Sequence, residues 1–211
     1  LLEVDEETVR VYLTIDGEQR FKDVVVKDAE FINKPLYFGI FACWATATIS
    51  KPDTSVEPNP DPEPDPSYKF VDLTAMLADT ENWVMGDVPP TFNEDGSITA
   101  SHDSATSVGG YNKPIELNTV YRFKYKTEKR PATCYDGFYF GFRPDNLYYG
   151  HGGIQVDFNT GAALHVYKPG AVPLIDTADG PVLTVGQTYD IEFGLLEVDE
   201  ETVRVYLTID G

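Results

Sequence analysis

Cysteine, histidine and basic residues are all scarce in this sequence. Among 211 residues there are 2 Cys and 3 His, and 16 Lys and Arg stand against 35 Asp and Glu, giving a net charge of -19. Two Cys exclude a disulfide-dense scaffold and an all-Cys zinc site. The negative charge argues against nucleic-acid binding and against an anionic membrane surface. No apolar run approaches the roughly 20 residues that span a bilayer, so we expect no membrane insertion.

An internal repeat is the most informative feature of the chain. Residues 1–17 and 195–211 are identical, LLEVDEETVRVYLTIDG, so the repeat period is 194 residues. Seventeen identities in a row indicate one full unit of a tandem array plus an overlap. The alternative is an engineered permutant that carries one strand at both ends, and the sequence is compatible with both origins.

A proline-rich and acidic segment separates two parts of the chain. Residues 51–66, KPDTSVEPNPDPEPDP, hold six Pro and five acidic residues, with Val56 as the one aliphatic residue. Such a segment cannot bury a core and is typical of a semi-rigid spacer, which would reach roughly 50 Å when extended. We therefore predict that 1–50 is the C-terminal part of a repeated domain, that 51–66 is a linker, and that 67–211 is the N-terminal part.

The duplicated strand creates a competition. Residues 1–50 can complete the 67–194 part of their own chain or of a neighbouring chain, and in either case two copies of one strand compete for one place. The copy that loses leaves unpaired strand edges, which favour strand exchange or end-to-end assembly. The sequence does not show which of the two copies occupies that place in the sandwich.

Alternating apolar and polar residues predict strand after strand. Val9, Val11, Leu13 and Ile15 alternate with polar residues, which is the period of a half-buried strand. Roughly a dozen short strands without helical alternation predict an all-β, two-sheet antiparallel β-sandwich. The predicted strands are 8–15, 21–26, 36–49, 68–73, a hairpin over 92–102, 119–127, 138–142, 154–158, 163–167 and 188–193, and 74–79 is a predicted short helix.

Two hairpin strands carry a family resemblance. The run 188–194, TYDIEFG, followed after a turn by 202–211, TVRVYLTIDG, resembles the C-terminal hairpin of concanavalin A-like jelly rolls, which include laminin-G-like domains and several carbohydrate-binding modules. Residues 36–40, LYFGI, suit the closing strand of that family. The resemblance covers 67–194 and 1–50 and implies a jelly roll in circularly offset order. The linker and the repeat resemble those of bacterial multimodular surface proteins.

An acidic cluster raises the possibility of an enzyme. Glu197, Asp199 and Glu201 (with their twins in residues 3–7) match the Glu-x-Asp-x-Glu spacing of retaining glucanases with the same fold, in which two carboxylates act as nucleophile and acid. The family pattern has an apolar residue where this chain has Glu200. Inward alternation also stops before these acids, which places them at a solvated hairpin tip. We predict no catalytic residues and no enzymatic activity.

Aromatic residues offer the best candidate for a ligand site. Nine Tyr and Phe lie between residues 135 and 167, with polar residues among them, and sugars bind to rings flanked by a few carboxylates and amides. Phe138, Phe140 and Phe142 alternate and are expected in the core, with Tyr139 facing outward. The candidate ligand-binding residues are Tyr139, Asp145, Asn146, Tyr148, Tyr149 and His151.

Calcium is a candidate cofactor because the related jelly rolls often hold a structural ion. Carboxylates and amides in loops suit a hard cation, although turns favour the same residue types for conformational reasons. The candidate Ca²⁺ ligands are Asp145, Asn146, Asp176 and Asp179. His102, His151 and His165 are too dispersed to suggest a metal triad. Cys43 and Cys134 are compatible with one disulfide or with two free thiols.

These features predict a non-catalytic module of an extracellular, cell-surface protein. Tandem domains on stiff acidic spacers would act as a structural and adhesive extension, with neighbouring repeats as partners and strand exchange as a route to self-association. The alternative is a carbohydrate-binding, lectin-like module with a glycan or polysaccharide as partner. A glucanase-like glycoside hydrolase ranks last.

Overall fold

Nearly all regular structure in this chain is β-strand. The computed structural model describes residues 12–15, 18–21, 25–28, 30–53, 69–145, 151–159, 161–170, 172–177, 180, 182–199 and 202–210. Of the predicted linker, only 51–53 fall within these ranges. Among the described residues, no helix is long and apolar enough to cross a membrane.

The described residues form seventeen strands and two short α-helices. The helices are α1 (Glu30–Asn33) and α2 (Thr74–Ala78), and a 3-10 turn spans Thr80–Asn82. The strands are β1 (Tyr12–Ile15), β2 (Glu18–Phe21), β3 (Val25–Lys27), β4 (Tyr37–Cys43), β5 (Thr46–Ser50), β6 (Lys69–Asp72), β7 (Trp83–Met85), β8 (Thr91–Phe92), β9 (Ile98–Ser101), β10 (Thr106–Tyr111), β11 (Thr119–Lys129), β12 (Tyr135–Gly141), β13 (Gly153–Phe158), β14 (Ala162–Lys168), β15 (Val172–Thr177), β16 (Thr188–Asp199) and β17 (Thr202–Asp210).

Two sheets face each other across one core, which confirms the predicted all-β sandwich. The larger sheet has ten strands in the order β2-β1-β17-β16-β11-β5-β9-β8, with β3 also on β17 and β6 also on β11. The smaller sheet has seven, in the order β15-β14-β13-β12-β4-β10-β7. The prediction of wholly antiparallel sheets is wrong at two places, because β6 pairs with β11 and β1 pairs with β17 in parallel.

The second copy of the duplicated sequence lies inside the larger sheet. It supplies the end of β16 and all of β17, and β16 pairs with β11 on one side and β17 on the other. Alternate side chains along β16 point into the core, and Ile191, Phe193 and Leu195 are at most 1% exposed. Gly194 faces away from the core and lies so close to β11 that an added Cβ would be 2.5 Å from the Thr119 carbonyl oxygen.

The first copy lies against the second. β1 pairs with β17 in parallel, and Tyr12, Leu13 and Thr14 stand opposite Tyr206, Leu207 and Thr208, which are their own counterparts in the repeat. β3 occupies the other half of the same β17 edge in antiparallel pairing, with Val25 opposite Arg204. β2 then pairs with β1 and forms the outermost strand on that side among the described residues.

Residues 37–50 complete the sandwich. β4 lies between β12 and β10 in the smaller sheet, and β5 lies between β11 and β9 in the larger one. The predicted single strand over 36–49 is therefore wrong. The chain crosses from one sheet to the other at Trp44, which has a φ of 54° and is 49% exposed. A left-handed residue ends a strand, and the apolar composition of this stretch conceals that break.

Aromatic rings fill the space between the sheets. Phe140 and Phe193 stack with centroids 3.9 Å apart, and Phe38 and Phe123 meet edge to face at 5.4 Å. Each pair joins one ring from each sheet. Such pairs add about 0.5–1.5 kcal/mol to the free energy gained from burial itself. Phe38 comes from the N-terminal part of the chain, so that part contributes to the core directly.

Candidate functional site: the outer face of the smaller sheet

The two sheets differ in the faces that they turn away from the core. The outer face of the larger sheet is polar. Lys124 Nζ lies 2.9 Å from Asp53 and 3.2 Å from Asp190, and Arg122 Nε donates to Glu192 at 3.1 Å. Hydroxyl ladders continue this surface at β5 and β9. Paired charges and hydroxyls of this kind are typical of a solvated sheet face.

The outer face of the smaller sheet is glycine-rich and largely buried. The register of the ladders places one residue from each strand in a single row across the whole sheet. From β15 to β7 that row reads Asp176, His165, Gln155, Tyr139, Gly39, Gly110 and Val84. It contains two of the residues predicted from the sequence, Tyr139 and Asp176, and this row and its neighbours form the candidate site.

Tyr139 lies flat over the glycine half of this row. A Cβ at Gly39 would be 2.1 Å from the Tyr139 ring, and a Cβ at Gly110 would be 2.1 Å from the Pro144 carbonyl oxygen. The Tyr139 hydroxyl donates to that carbonyl at 2.8 Å, and burial raises the pKa of this hydroxyl far above its usual value. The outward orientation of Tyr139 is confirmed, but its side chain is 1% exposed. It therefore holds the 143–145 turn against the sheet.

Three polar side chains occupy the other half of the face. Asp157 Oδ2 lies 3.0 Å from His165 Nε2 and accepts a hydrogen bond from Gln155 Nε2 at 3.4 Å. Gln155 is fully buried, and its Oε1 has no hydrogen-bond partner within the described part of the chain. A buried amide oxygen without a donor carries a desolvation cost of about 1–3 kcal/mol.

The remaining predicted ligand residues lie in the connection between β12 and β13. Asp145 is held by Arg143 through two hydrogen bonds of 2.9 and 2.7 Å, and Arg143 lowers the pKa of this carboxyl. His151 is half-buried next to β13. Asn146, Tyr148 and Tyr149 lie outside the described residues, so their ligand-binding role stays a prediction.

The calcium ligands predicted from the sequence are spread over two regions. Asp145 follows β12, Asp176 lies in the edge strand β15, and Asn146 and Asp179 lie outside the described residues. Across the part of the chain that is described, no three His, Cys, Asp or Glu side chains meet where they could hold a metal ion. The calcium site stays a prediction.

A separate polar cluster lies inside the core and joins the two sheets. Asp136 of β12 is fully buried and accepts hydrogen bonds from the hydroxyls of Tyr125 and Thr127, both in β11. Arg130 lies 3.5 Å from the same carboxylate and donates to the Leu183 carbonyl. Burial raises the pKa of Asp136 to about 6, although the two hydroxyls and Arg130 act in the opposite direction. The cluster is closed to solvent, so its role is structural.

The acidic cluster and the cysteines also have defined positions. Glu197 and Asp199 lie at the end of the β16–β17 ladder, where they pair with Val203 and Thr202. Both cysteines are free thiols, with Cys134 buried in the core and Cys43 half-buried at the end of β4. The sequence left the disulfide open, and this structure contains free thiols.

A depression beside α1 is too small for a ligand site. It has a volume of about 170 Å³ and is lined by residues 31–36 with Ile115 and Leu117. Small-molecule sites usually measure about 300–1,000 Å³ and contain several convergent polar groups. The volume of this depression is below that range, so the face built around Gln155 remains the better candidate.

Sequence reasoning missed Gln155 and Asp157, and it considered His165 only as one of three histidines too dispersed for a metal triad. A signal was available, because Ile154, Val156 and Phe158 alternate with them and are fully buried. Residues between such positions must face outward, and polar residues in two adjacent strands then share one face. Comparisons of this chain with protein-family models, with curated proteins and with solved structures found no match.

Proposed function

We propose that this chain is a non-catalytic extension module of a cell-surface protein, offset relative to its natural repeat unit. The unit consists of residues 67–211 followed directly by 18–50, and residues 51–66 join one unit to the next. Such an array would hold a terminal activity away from a cell surface, and its negative charge would keep neighbouring units apart.

The register of β3 on β17 carries this proposal. Arg204 pairs with Val25 and Thr202 pairs with Lys27. Continued along both strands, this register would place Asp210 opposite Gln19 and leave two residues between them. The β1–β2 hairpin also leaves two residues between its strands, but in a different register, with Ile15 opposite Glu18 and a register shift between Leu13 and Thr14. Two-residue loops are the commonest hairpin connections, and glycine suits them. β3 therefore lies where it would lie if the chain ran from Gly211 straight into Glu18.

A reordered chain tests the proposal. We expect residues 67–211 joined directly to 18–50, without 1–17 and without the linker, to fold into the same sandwich with cooperative urea unfolding. The matched control is 67–211 alone, which lacks β4 and β5 and should not fold, because Phe38 and Ile40 would be missing from the core. A reordered chain that fails to fold would contradict the proposed unit.

The spacer role has its own measurement. Two reordered units joined by residues 51–66 should give an extended, two-lobed particle in small-angle X-ray scattering. Replacing the six prolines of the linker by serine keeps its length and should shorten the mean distance between units, because proline-rich chains are stiffer. Equal dimensions for both versions would remove the argument for a spacer.

Carbohydrate binding is the second candidate, and the polar half of the outer face favours it. Asp157 and His165 place a partly exposed carboxylate and imidazole together on one sheet face, next to the buried amide of Gln155. We expect saturable binding to a member of a glycan and insoluble-polysaccharide panel to fall in Asp157→Asn and in Tyr148→Ala. The Lys69→Ala variant, on the other sheet, is the control. No binding with or without calcium would leave the extension role alone.

A further inference from the structure

We infer that the edge of β17 is a docking site for the β1–β2 hairpin of a second copy of this chain. The inference rests on the proposed function, because it treats the first copy of the repeat as surplus to the sandwich. It specifies the partner, the strand and the register of self-association, with Leu13 of one molecule opposite Leu207 of the other.

The first observation is that β1 occupies a place that another segment would fill. In the continuous register of β3, residues 19–23 would pair with the C-terminal half of β17. Instead β1 pairs with Tyr206, Leu207 and Thr208, and β2 pairs with β1 one strand further out. The first copy has entered between β17 and β2. It is therefore an added strand and not a part of the minimal sandwich.

The second observation is that the hairpin has few attachments. In the described ranges β1 pairs with β17 and β2, and β2 pairs with β1 alone. The hairpin is joined to β3 through residues 22–24, and no other described strand holds it. When two molecules exchange their hairpins, every strand pair lost in one molecule is remade with identical residues in the other. The exchange thus leaves the set of pairings unchanged.

The third observation is that β1 pairs with the copy of its own sequence in β17. Three of the four residues of β1 face the residue 194 positions further along the chain, as Tyr12 faces Tyr206. Parallel, in-register pairing of identical segments satisfies the backbone groups of both strands and needs no other partner sequence. A tethered hairpin has an effective concentration of the order of 1 mM, so exchange should appear near that protein concentration or in crowded arrays.

Cysteine crosslinking of the full chain tests the exchange. Thr14 and Thr208 face each other across the parallel pair, so the Thr14→Cys and Thr208→Cys variants are mixed, oxidised and mapped by peptide mass. We expect a disulfide between residues 14 and 208 of different chains. It should be several times more abundant at a protein concentration of about 1 mM than at about 10 μM, because about 1 mM is the effective concentration of the tethered hairpin. The matched control mixes Thr14→Cys with Thr91→Cys, an exposed position on β8 at the far edge of the larger sheet.

Two outcomes would overturn the inference. One is a mixture that gives no interchain product while the Thr14→Cys/Thr208→Cys double variant closes within one chain. The other is equal crosslinking to residues 208 and 91, which indicates random collision. As a second measurement, the mass of the full chain in sedimentation should rise with concentration, whereas Leu13→Pro, which interrupts β1, should stay monomeric. Equal masses would also overturn it.

These results are distinguishable from a failure of the proposed function. The reordered chain lacks residues 1–17, so its folding does not depend on exchange. If it folds and the crosslink is absent, the extension module stands and the docking site falls. If the crosslink forms and the reordered chain fails to fold, the two copies associate but the proposed repeat unit is wrong.

Discussion

One sequence of seventeen residues occupies two environments in this molecule. The second copy has strands on both sides of β16 and places Leu195 and Val205, both fully buried, in the core. The first copy supplies β1, which lies at the margin of the sheet and is held by β17 and by its own hairpin. The residues of the two copies are identical, so the difference in their strand neighbours comes from their places in the chain.

The comparison shows that a strand sequence specifies a potential to pair but not its place. Period-two alternation makes both copies competent to join a sheet. The second copy is continuous with Ile191 and Phe193, whose side chains lie in the core. Its burial extends an existing strand, whereas the first copy has no such anchor among the described residues.

Hydrogen exchange should give the largest contrast between the copies. Amides of 206–209, the twins of 12–15, should exchange mainly through global unfolding, for which domains typically require about 5–15 kcal/mol. Amides of 12–15 should exchange through local opening, with protection lower by several orders of magnitude. Mass spectrometry of overlapping peptides measures both. Equal protection of the two copies would mean that the first is as much part of the sandwich as the second.

Leu1 and Leu195 occupy the same position in the two copies, so substituting each of them compares the two copies directly. Leu195→Ala should lower the free energy of unfolding by about 2–5 kcal/mol, because it leaves a cavity in the core. Leu1→Ala, the same change in the first copy, should alter it by less than about 0.5 kcal/mol. Urea denaturation of both variants gives the values. If each single variant costs little and only the double variant unfolds, the copies replace each other in the core.

A pH titration sharpens the contrast between interior and edge. The pKa of buried Asp136 is raised to about 6, so the contribution of this group to stability is present below its unfolded pKa of 3.8 and is lost as pH rises through 6. The shift of about two units corresponds to about 3 kcal/mol between pH 4 and pH 7. Relative to the wild type, Asp136→Asn should therefore gain stability across that interval.

The control for this titration is Asp145, whose pKa is lowered by Arg143. A lowered pKa contributes stability above 3.8 that is lost as pH falls, so Asp145→Asn should change the pH profile in the opposite direction and by a smaller amount, since the pair is exposed. Denaturation at several pH values separates the two. A wild-type and Asp136→Asn difference that does not vary with pH would contradict the raised pKa.

The smallest effect is expected on the polar face of the same interior strand. Glu192 lies between the buried residues Ile191 and Phe193 but forms a partly exposed ion pair with Arg122. Glu192→Gln should cost about 0.2–1 kcal/mol, and high salt should reduce that cost. Urea denaturation at low and high salt is the measurement. A loss as large as that of Leu195→Ala would show that lying in an interior strand matters more for stability than whether the side chain points into the core or to solvent.

Alternation predicted the interior of the sandwich well, because burial repeats every second residue. It identified β11, β13, β14 and β16 and the outward position of Tyr139. It could not locate the break at Trp44, because the residues on both sides are apolar and a left-handed φ leaves no trace in composition. It also missed β7, β10 and β15, which are short or rich in glycine and proline.

The candidate site was less predictable than the fold. The sequence pointed to aromatic residues in the β12–β13 connection, and the structure buries Tyr139 beneath that connection. Gln155, Asp157 and His165 come together only through the register of β13 with β14, which a single sequence does not show. The repeat predicted a competition between two copies, and the structure shows the second copy continuing the buried strand β16.

The central position of β4 has a consequence for how the chain folds. β4 belongs to the first part of the sequence, yet both of its partners, β10 and β12, follow the linker. Pairing must wait until the later segments are available, and closing such long loops slows folding. In the proposed repeat unit β4 follows both of its partners, so the apolar stretch from Phe38 to Ala42 stays unpaired during synthesis only where residues 18–50 are made first. Binding by a chaperone at that stretch, or delayed release from the ribosome, would protect it from aggregation.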